Sequence, residues 1–471
     1  MIRNGLLYIL VLAISGTLAW ALWNQWHAPA EPPPLEGIDD PLWYRTADFA
    51  TRRAALEKRL DLMTSTRIAA ADVGPIKDDV ALLCRDPRLV DVVVQRFRER
   101  KDINTAQLSA FMEIFARVKN PKFAKLLSEG IHHREFEPRI NAFDAALTQG
   151  DPAILADLRT VMGSQGGYSL RRVIEALGAI GGDEALDLVT RAIASGDHDA
   201  VLQGIATCVV YRLNRAIPIL EPLLKDGRRD VALTAAWGLV SLGYSGGADV
   251  IRRLALDRGV DQGTRAQAVI YLLETSGKAA TETLRRLRAD PDPNVAFEAR
   301  LGLIQLGDED ELLALDRALR SEDPGEREQG ATFCAASGRD EDVERFRRVM
   351  GSVGRAEITA FLNALPRGRA PAALSILKDL SRPGGPYEQL AISRFHEYGD
   401  DGVEAIETLL ASHPEGERLG WLISALGSIG TPRARDTLLK MPPPRSRRLW
   451  LYLRNNVRVI DLALLKKGVF E

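Results

Sequence analysis

The sequence predicts an all-α fold: an α-solenoid of about twelve stacked helical hairpins, preceded by one N-terminal transmembrane helix. The main observation is a repeat of about 31–33 residues, in which every unit carries two short apolar helical stretches. Neither stretch can bury its apolar face alone, so neighbouring units must stack. One apolar position marks the register of the units: Val90, Phe123, Ile154, Leu186, Ile219, Ile251, Leu284, Leu312, Val343, Leu374 and Ile406, with a twelfth, looser unit near Ala434.

The composition agrees with stacked helices. Hydrophobic residues make up 46% of the chain but aromatic residues only 6%. The formal net charge of −2 gives no bulk attraction to nucleic acid, and no nucleic-acid partner is expected. Cys84, Cys208 and Cys334 lie far apart in apolar helical runs, without a C-x-x-C or zinc-ligand spacing. We therefore predict that they are small core residues, not disulfide partners or metal ligands.

The N-terminal segment is predicted to be a membrane anchor. Residues 5–23 form an uncharged run of about 19 residues, close to the ~20 that cross the hydrocarbon core of a bilayer. Indole rings favour the headgroup region of a membrane. Three tryptophans lie at the outer end of this run and are predicted to anchor it: Trp20, Trp23 and Trp26.

The charges that flank the anchor predict its orientation. Arg3 lies in the short segment 1–4, whereas no Lys or Arg follows the anchor until Arg45. The positive-inside rule then places residues 1–4 in the cytoplasm and the repeats outside it, in the periplasm of a bacterial envelope with an inner or plasma membrane anchor. The alternative is a signal peptide, because Ala28-Pro29-Ala30 has the A-x-A form and cleavage near Ala30 would release a secreted chain.

The rest of the chain divides into four regions. Residues 24–42 are rich in proline and acidic residues, which favours an extended, solvated spacer. Residues 43–78 are predicted to form an N-terminal capping region, and residues 79–441 the repeats. Residues 442–471 are predicted to form a basic C-terminal cap, with docking to anionic lipid or to an acidic partner as the alternative.

The clearest repeat shows how each unit begins and ends. Asp292-Pro293-Asn294 predicts a helix start, and Gly307 predicts its end in a left-handed conformation. The strings GYSLRRVIEALGAIG, RRDVALTAAWGLVSLG, DPNVAFEARLGLIQLG and ERLGWLISALGSIG resemble HEAT repeats, specifically the short bacterial variety also found in phycobilisome lyases. The resemblance covers roughly Asp79 to Met441. It implies that the second helix of each unit lines the concave face, but it does not imply lyase activity, because such repeats occur in many scaffolds.

Two units depart from the pattern. Pro218 and Pro222 lie in one second helix, and Pro366 and Pro371 flank another turn. Proline disrupts helix interiors, so we predict that the stack bends or loosens there, with a binding loop as the alternative.

A basic residue recurs about once per repeat, in the later half of the second helix. On a concave face these residues would form a groove for an acidic protein partner. The alternative is that they only complement the helix dipole, which is worth about 0.3–1 kcal/mol each. Doubled arginines at 252–253, 285–286 and 347–348 favour the binding interpretation, because a single arginine would be enough to complement each helix dipole. The candidate residues are Arg159, Arg191, Lys225, Arg253, Arg286, Arg317, Arg348 and Lys378.

No H-E-x-x-H motif of a metalloprotease and no G-x-x-x-x-G-K-[ST] phosphate-binding loop occurs in the chain. We therefore predict that the protein is not an enzyme and has no catalytic residue, metal ligand or cofactor. The predicted function is a membrane-tethered scaffold that binds a protein partner along the concave solenoid face. The alternatives are an accessory or chaperone module of a lyase-like enzyme system, and a purely structural spacer in the cell envelope.

Overall fold

The computed structural model describes residues 41–64, 70–100, 103–163, 167–442, 444 and 446–469. All regular elements in this part of the chain are helical, which confirms the all-α prediction. The predicted anchor, its three tryptophans and nearly all of the spacer lie outside the described residues. Among the helices that are described, none is both long and apolar enough to cross a membrane.

The described residues form twelve successive two-helix units, numbered here 1 to 12 in chain order. The first helices are Ala70–Leu83, Thr105–Arg117, Phe136–Gln149, Gly167–Ile180, His198–Val210, Arg229–Ser241, Gln262–Ser276, Pro293–Leu306, Pro324–Ala336, Arg355–Gly368, Glu388–Arg394 and Gly416–Ile429. The second helices are Pro87–Glu99, Pro121–Ala124 with Ser128–Ile131, Leu155–Met162, Gly182–Ala194, Ile217–Leu220, Ala248–Leu256, Thr281–Leu287, Glu309–Ala318, Asp340–Val349, Ala373–Leu380, Gly399–Leu410 and Pro432–Lys440.

Further helices flank the units on both sides. Trp43–Thr46 and Phe49–Thr64 precede unit 1, and Arg447–Lys466 follows unit 12.

Unit 8 begins and ends at the residues that the sequence predicts. The Asp292 carboxylate accepts hydrogen bonds of 3.0 Å from the backbone amides of Asn294 and Val295, at the start of helix Pro293–Leu306. Gly307 ends this helix with φ 77°, a left-handed conformation that costs glycine little.

The predicted core residues are buried. Nine of the twelve register residues are buried and the other three, Ile219, Leu312 and Leu374, are partly buried. The three cysteines are buried free thiols, as predicted.

Unit 5 is irregular where its prolines predict loosening. Its second half is a single α-helical turn, Ile217–Leu220, between the 3₁₀ helices Asn214–Ala216 and Glu221–Lys225. In unit 10, Pro366 lies inside the helix Arg355–Gly368. The prolines therefore shorten or distort helices without ending the repeat.

The two helices of each unit lie in two layers with different packing. First helices of successive units pack directly on one another, most extensively between units 9 and 10. Second helices of successive units touch little and are bridged by long side chains, such as Arg345 to Asp316 at 2.5 Å and Arg215 to Asp183 at 3.2 Å. In a curved stack the closely spaced layer lies on the inside.

A contact across the curve supports the same assignment. Glu298 of unit 8 pairs with Arg367 of unit 10, so the two side chains meet past unit 9. Such a contact forms only on the inner side of a curved stack. The first helices therefore form the inner, concave layer and the second helices the outer layer. This arrangement differs from the expectation that second helices line the concave face.

The two ends of the solenoid meet. Helix Arg447–Lys466 packs on the first helix of unit 12 and also on the first helices of units 1 and 2. The backbone amide of Lys119 donates to the carbonyl of Leu465 at 3.2 Å, and Arg458 pairs with Asp79 at 2.5 Å. One hydrophobic core runs across this junction. The units therefore close into a ring, and the terminal helices cover each other instead of capping two open ends.

A buried carboxylate lies at the centre of the junction. Asp461 is 2% exposed, and its Oδ2 accepts from the Tyr44 hydroxyl at 2.5 Å and from Arg45 at 2.7 Å. Arg85 lies 3.0 Å from the same oxygen, and Arg435 lies 3.6 Å from Oδ1. Burial, together with the negative charge of Asp461, raises the pKa of Tyr44. These five residues are called the clasp below.

Candidate partner-binding surface

The eight candidate basic residues, called the ladder residues below, lie in the last turn of a second helix, in agreement with the predicted later half. All eight are exposed, and in unit 5 the helix that carries Lys225 is a 3₁₀ helix. Because second helices form the outer layer, these residues do not line a concave groove. They form a row along the outside of the ring.

The doubled arginines divide into a paired and a free member. The first member of each doublet forms an ion pair: Arg252 with Asp249 at 2.6 Å, Arg285 with Asp308 at 2.8 Å, and Arg347 with Glu344 at 3.2 Å. The second members, Arg253, Arg286 and Arg348, form no ion pair with any described residue. Each doublet therefore leaves one exposed guanidinium group available to a partner.

Over most of the row, the positive charges of the basic residues are not paired with carboxylates of the described chain. Arg159 pairs with Glu184, so the ladder is neutralised at unit 3. Within the described part of the chain, the ladder residues of units 4 to 10 have no carboxylate within 4 Å of their side-chain nitrogens. Seven consecutive units thus each present a free cation.

Three further arginines reinforce this row. Arg258, Arg288 and Arg320 lie in the turns after the second helices of units 6, 7 and 8, are exposed, and form no ion pair with the described residues. The sequence repeat did not reveal them, because their offsets from the ladder arginines differ from unit to unit. The term basic rim is used below for Arg253, Arg258, Arg286, Arg288, Arg317, Arg320 and Arg348.

The basic rim lies at one edge of the ring. Second helices all run in the same direction, so their C-terminal ends meet at this edge. Three carboxylates near this edge are engaged within the fold: those of Asp261 and Asp292 cap the next first helices, and Asp257 accepts from the Gly259 amide at 2.9 Å. Hydrogen bonds from Thr264 lower the pKa of Asp261, which keeps that carboxylate ionised.

The clasp lies at the opposite edge of the ring. Arg85 belongs to the turn after the first helix of unit 1, and Lys119, which contacts Leu465, follows the first helix of unit 2. First helices run antiparallel to second helices within a unit, so these turns lie away from the basic rim. The chain that leads to Tyr44 therefore enters the ring at the edge opposite the rim.

Two further groups with reactive side chains are held by contacts within the chain. His132 Nε2 lies 2.9 Å from Asp157 Oδ1. Ser375 and Lys378 match the S-x-x-K spacing of serine acyl enzymes, but the Ser375 hydroxyl donates to the Ala372 carbonyl at 2.9 Å and also contacts Arg347. Among the described residues, no three His, Cys, Asp or Glu side chains converge on a point that could hold a metal ion.

The fold and the repeat define an α-solenoid of two-helix units, the architecture shared by HEAT-repeat proteins. No family model matches the chain, and no curated protein matches it. Among solved structures it is similar to yeast importin-beta, with 11% identity over 92% of this chain and 70% of that chain, at a TM-score of 0.47. It is also similar to a crystal structure of importin beta obtained in an ammonium sulfate condition. The identity is 12% over 92% of this chain and 68% of that chain, at a TM-score of 0.38. At these scores the likeness supports no statement about the partner, and the fold assignment rests on the helix contacts.

Proposed function

We propose that this protein is a scaffold that binds an acidic protein partner along its basic rim. The observation that carries the proposal is the division of the arginine doublets into a paired and a free member. One cation is enough to complement a helix C-terminus. The second arginine of each doublet therefore adds a solvent-exposed charge that no described carboxylate pairs with.

The geometry of the row favours an extended partner. Neighbouring helices pack about 8–10 Å apart, so the four units that carry the basic rim span roughly 25–30 Å. An extended chain covers that distance in roughly eight or nine residues at about 3.3 Å per residue. A short acidic segment lying across the edge of the ring would meet all four units.

The predicted membrane anchor would give the proposed scaffold an orientation. Residues 5–23 would lie in the bilayer and residues 24–42 would lead to the clasp edge. The basic rim, at the other edge, would then face away from the membrane. An acidic partner in the periplasm could reach it without competing with the bilayer.

Matched variants of the full chain test this function. The free set is R253Q/R286Q/R317Q/R348Q, and the paired set is R252Q/R285Q/R347Q. Fluorescent poly-L-glutamate serves as a defined acidic probe, and crosslinking in native membranes followed by mass spectrometry identifies the natural partner. We expect the free set to weaken probe binding at least tenfold and to lose the crosslinked partner. The paired set should retain both, and binding by the parent chain should fall as salt is added.

If the free set binds as well as the parent chain, the rim arginines serve only the helix dipoles and the proposal is wrong. A purely structural spacer would give that result, with no specific crosslinked partner for any variant. Circular dichroism of each variant shows whether it has kept its fold.

A further inference from the structure

A second surface, with different chemistry, lies on the inner layer at units 6 and 7. Trp237 of unit 6 stacks on Tyr271 of unit 7, with ring centroids 5.2 Å apart and planes 18° apart. The Trp237 indole N–H donates to Glu274 Oε1 at 3.2 Å. Two half-buried aromatic rings and one exposed carboxylate therefore meet across the boundary between two units.

The carboxylate of Glu274 lacks a cation. In the described part of the chain, no Lys, Arg or His nitrogen lies within 4 Å of it, and Lys278, one turn later, forms no ion pair either. Burial raises the pKa of Tyr271, and the negative charge of Glu274 adds to this effect. The negative charge of Glu274 thus lies beside the stacked rings and is not neutralised by an ion pair.

Apolar side chains are also exposed at the end of the first helix of unit 5. Val210 is 73% exposed and Tyr211 is 43% exposed, and Val210 is the most exposed large apolar residue in the described chain. Both follow Val209, which packs near Gly238 on the helix that carries Trp237. The Tyr211 ring, however, lies near Gly178 of unit 4, so these exposed apolar residues are a separate feature of unit 5.

We propose that Trp237, Tyr271 and Glu274 form a recognition site for a Lys or Arg side chain of an extended peptide segment. Aromatic faces attract cations, tryptophan most strongly, and a carboxylate held beside them by a hydrogen bond adds a charge partner. An anionic segment would be repelled by Glu274, and a neutral one would leave its charge uncompensated. The site lies on the inner layer and has the opposite charge preference to the basic rim, so it does not depend on the proposed function.

The test uses two capped peptides and the full chain in detergent micelles. The first is Ac-Gly-Leu-Gly-Lys-Gly-NH₂, and the second carries Gln in place of Lys. The protein is labelled with 5-fluorotryptophan, and the Trp237 resonance is assigned by its loss in W237F. We expect the lysine peptide to shift this resonance saturably below about 10 mM, and the glutamine peptide to bind at least fivefold more weakly.

Two substitutions make the test specific. E274Q should weaken binding of the lysine peptide at least fivefold. E282Q, at an exposed glutamate of the outer layer that forms no ion pair with the described residues, should leave it unchanged. The rim variant R253Q/R286Q/R317Q/R348Q should also bind the lysine peptide normally, whether or not the rim binds an acidic partner. Equal affinity for both peptides, equal affinity of E274Q and the parent chain, or no saturable shift would each overturn the proposal.

Discussion

The hydroxyl of Tyr44 donates a 2.5 Å hydrogen bond to the carboxylate of Asp461, 417 residues further along the chain. Arg45 and Arg85 approach the same oxygen, so the N-terminal region supplies three of the four groups around this buried acid. The fourth, Arg435, comes from unit 12. The ends of the solenoid are therefore joined through one charge.

Removing that charge should open the ring. In D461N the guanidinium groups of Arg45, Arg85 and Arg435 lose their common anion. Breaking a buried ion pair typically costs about 3–5 kcal/mol, and because Arg45 and Arg85 are partly solvated we expect a loss of about 2–3 kcal/mol. Thermal unfolding should begin at a lower temperature, and small-angle X-ray scattering should show a larger radius of gyration.

The matched control for the clasp is Y44F, which removes one hydrogen bond and keeps the charges. It should cost less, about 1–2 kcal/mol, and leave the radius of gyration unchanged. If D461N has the same radius and stability as the parent chain, the apolar junction alone holds the ring closed.

Adjacent arginines should differ in their contribution to stability. Arg285 neutralises Asp308, whose side chain is almost fully buried at the start of a second helix, whereas Arg286 has no partner among the described residues. R285Q should therefore lower the melting temperature more than R286Q. Differential scanning calorimetry of the two single variants checks this, and equal effects would show that the pairing of Asp308 is not important to the fold.

Asp342 should make the protein less stable at neutral pH. It is fully buried, and burial raises its pKa although Ser337, Arg339 and Arg345 act in the opposite direction, with Arg345 3.4 Å away. Because the pKa is higher in the folded state than in the unfolded state, this group stabilises the fold only at low pH. The contribution is lost as the pH rises through the folded-state pKa.

The D342N substitution tests this sign. The variant should be more stable than the parent chain at pH 7 in urea unfolding, and the difference should shrink as the pH falls towards 4. A variant that is less stable at pH 7 would show that the pairing with Arg345 outweighs the burial of the charge.

The thiols should be inert in the folded protein. Burial raises the pKa of Cys84 and of Cys208 to about 12, and it also raises that of Cys334. At pH 8 almost no thiolate is present, and the thiolate is the reactive form. Ellman's reagent should detect no rapidly reacting thiol in the native chain and three in guanidinium chloride. Rapid reaction of the native chain would show that a unit opens locally.

The predicted topology can be tested with a fusion. Alkaline phosphatase joined after Asp40 should be active, because the charge pattern places this point outside the cytoplasm. The full chain should stay in the membrane after a carbonate wash. An inactive fusion would reverse the orientation, and release of a chain that begins near Glu31 would favour a cleaved signal peptide.

The sequence predicts the units but not their arrangement. Caps such as Asp292 and Gly307 act within one helix, so their effect can be read locally. Which layer lies inside depends on small differences in helix spacing that a period of about 31–33 residues does not encode. The junction of Tyr44 with Asp461 depends on curvature summed over all the units, and nothing near either residue in the sequence indicates it.

For the candidate binding surfaces, too, the sequence predicts the positions of single residues but not their contacts across units. The position of Arg286 in its last helical turn follows from the register, and so does its exposure. The lack of an ion pair at Arg286 does not follow from the register. It arises because Arg285 pairs with the Asp308 carboxylate, and this contact joins two neighbouring units. The pairing of Trp237 with Tyr271 and Glu274 likewise crosses a unit boundary, where a single repeat carries no information.

Closure of the ring also constrains the order in which the structure assembles and the number of units it contains. Each unit can fold on its predecessor as it leaves the ribosome, but Tyr44 cannot meet Asp461 until almost the whole chain has been made. The growing stack therefore stays open, with its inner layer accessible, until the last helix arrives. An open solenoid tolerates the loss of one repeat. Here, deletion of Gly307 to Gly338 would shorten the circumference and separate the partners of the clasp, so the number of units is part of the structure.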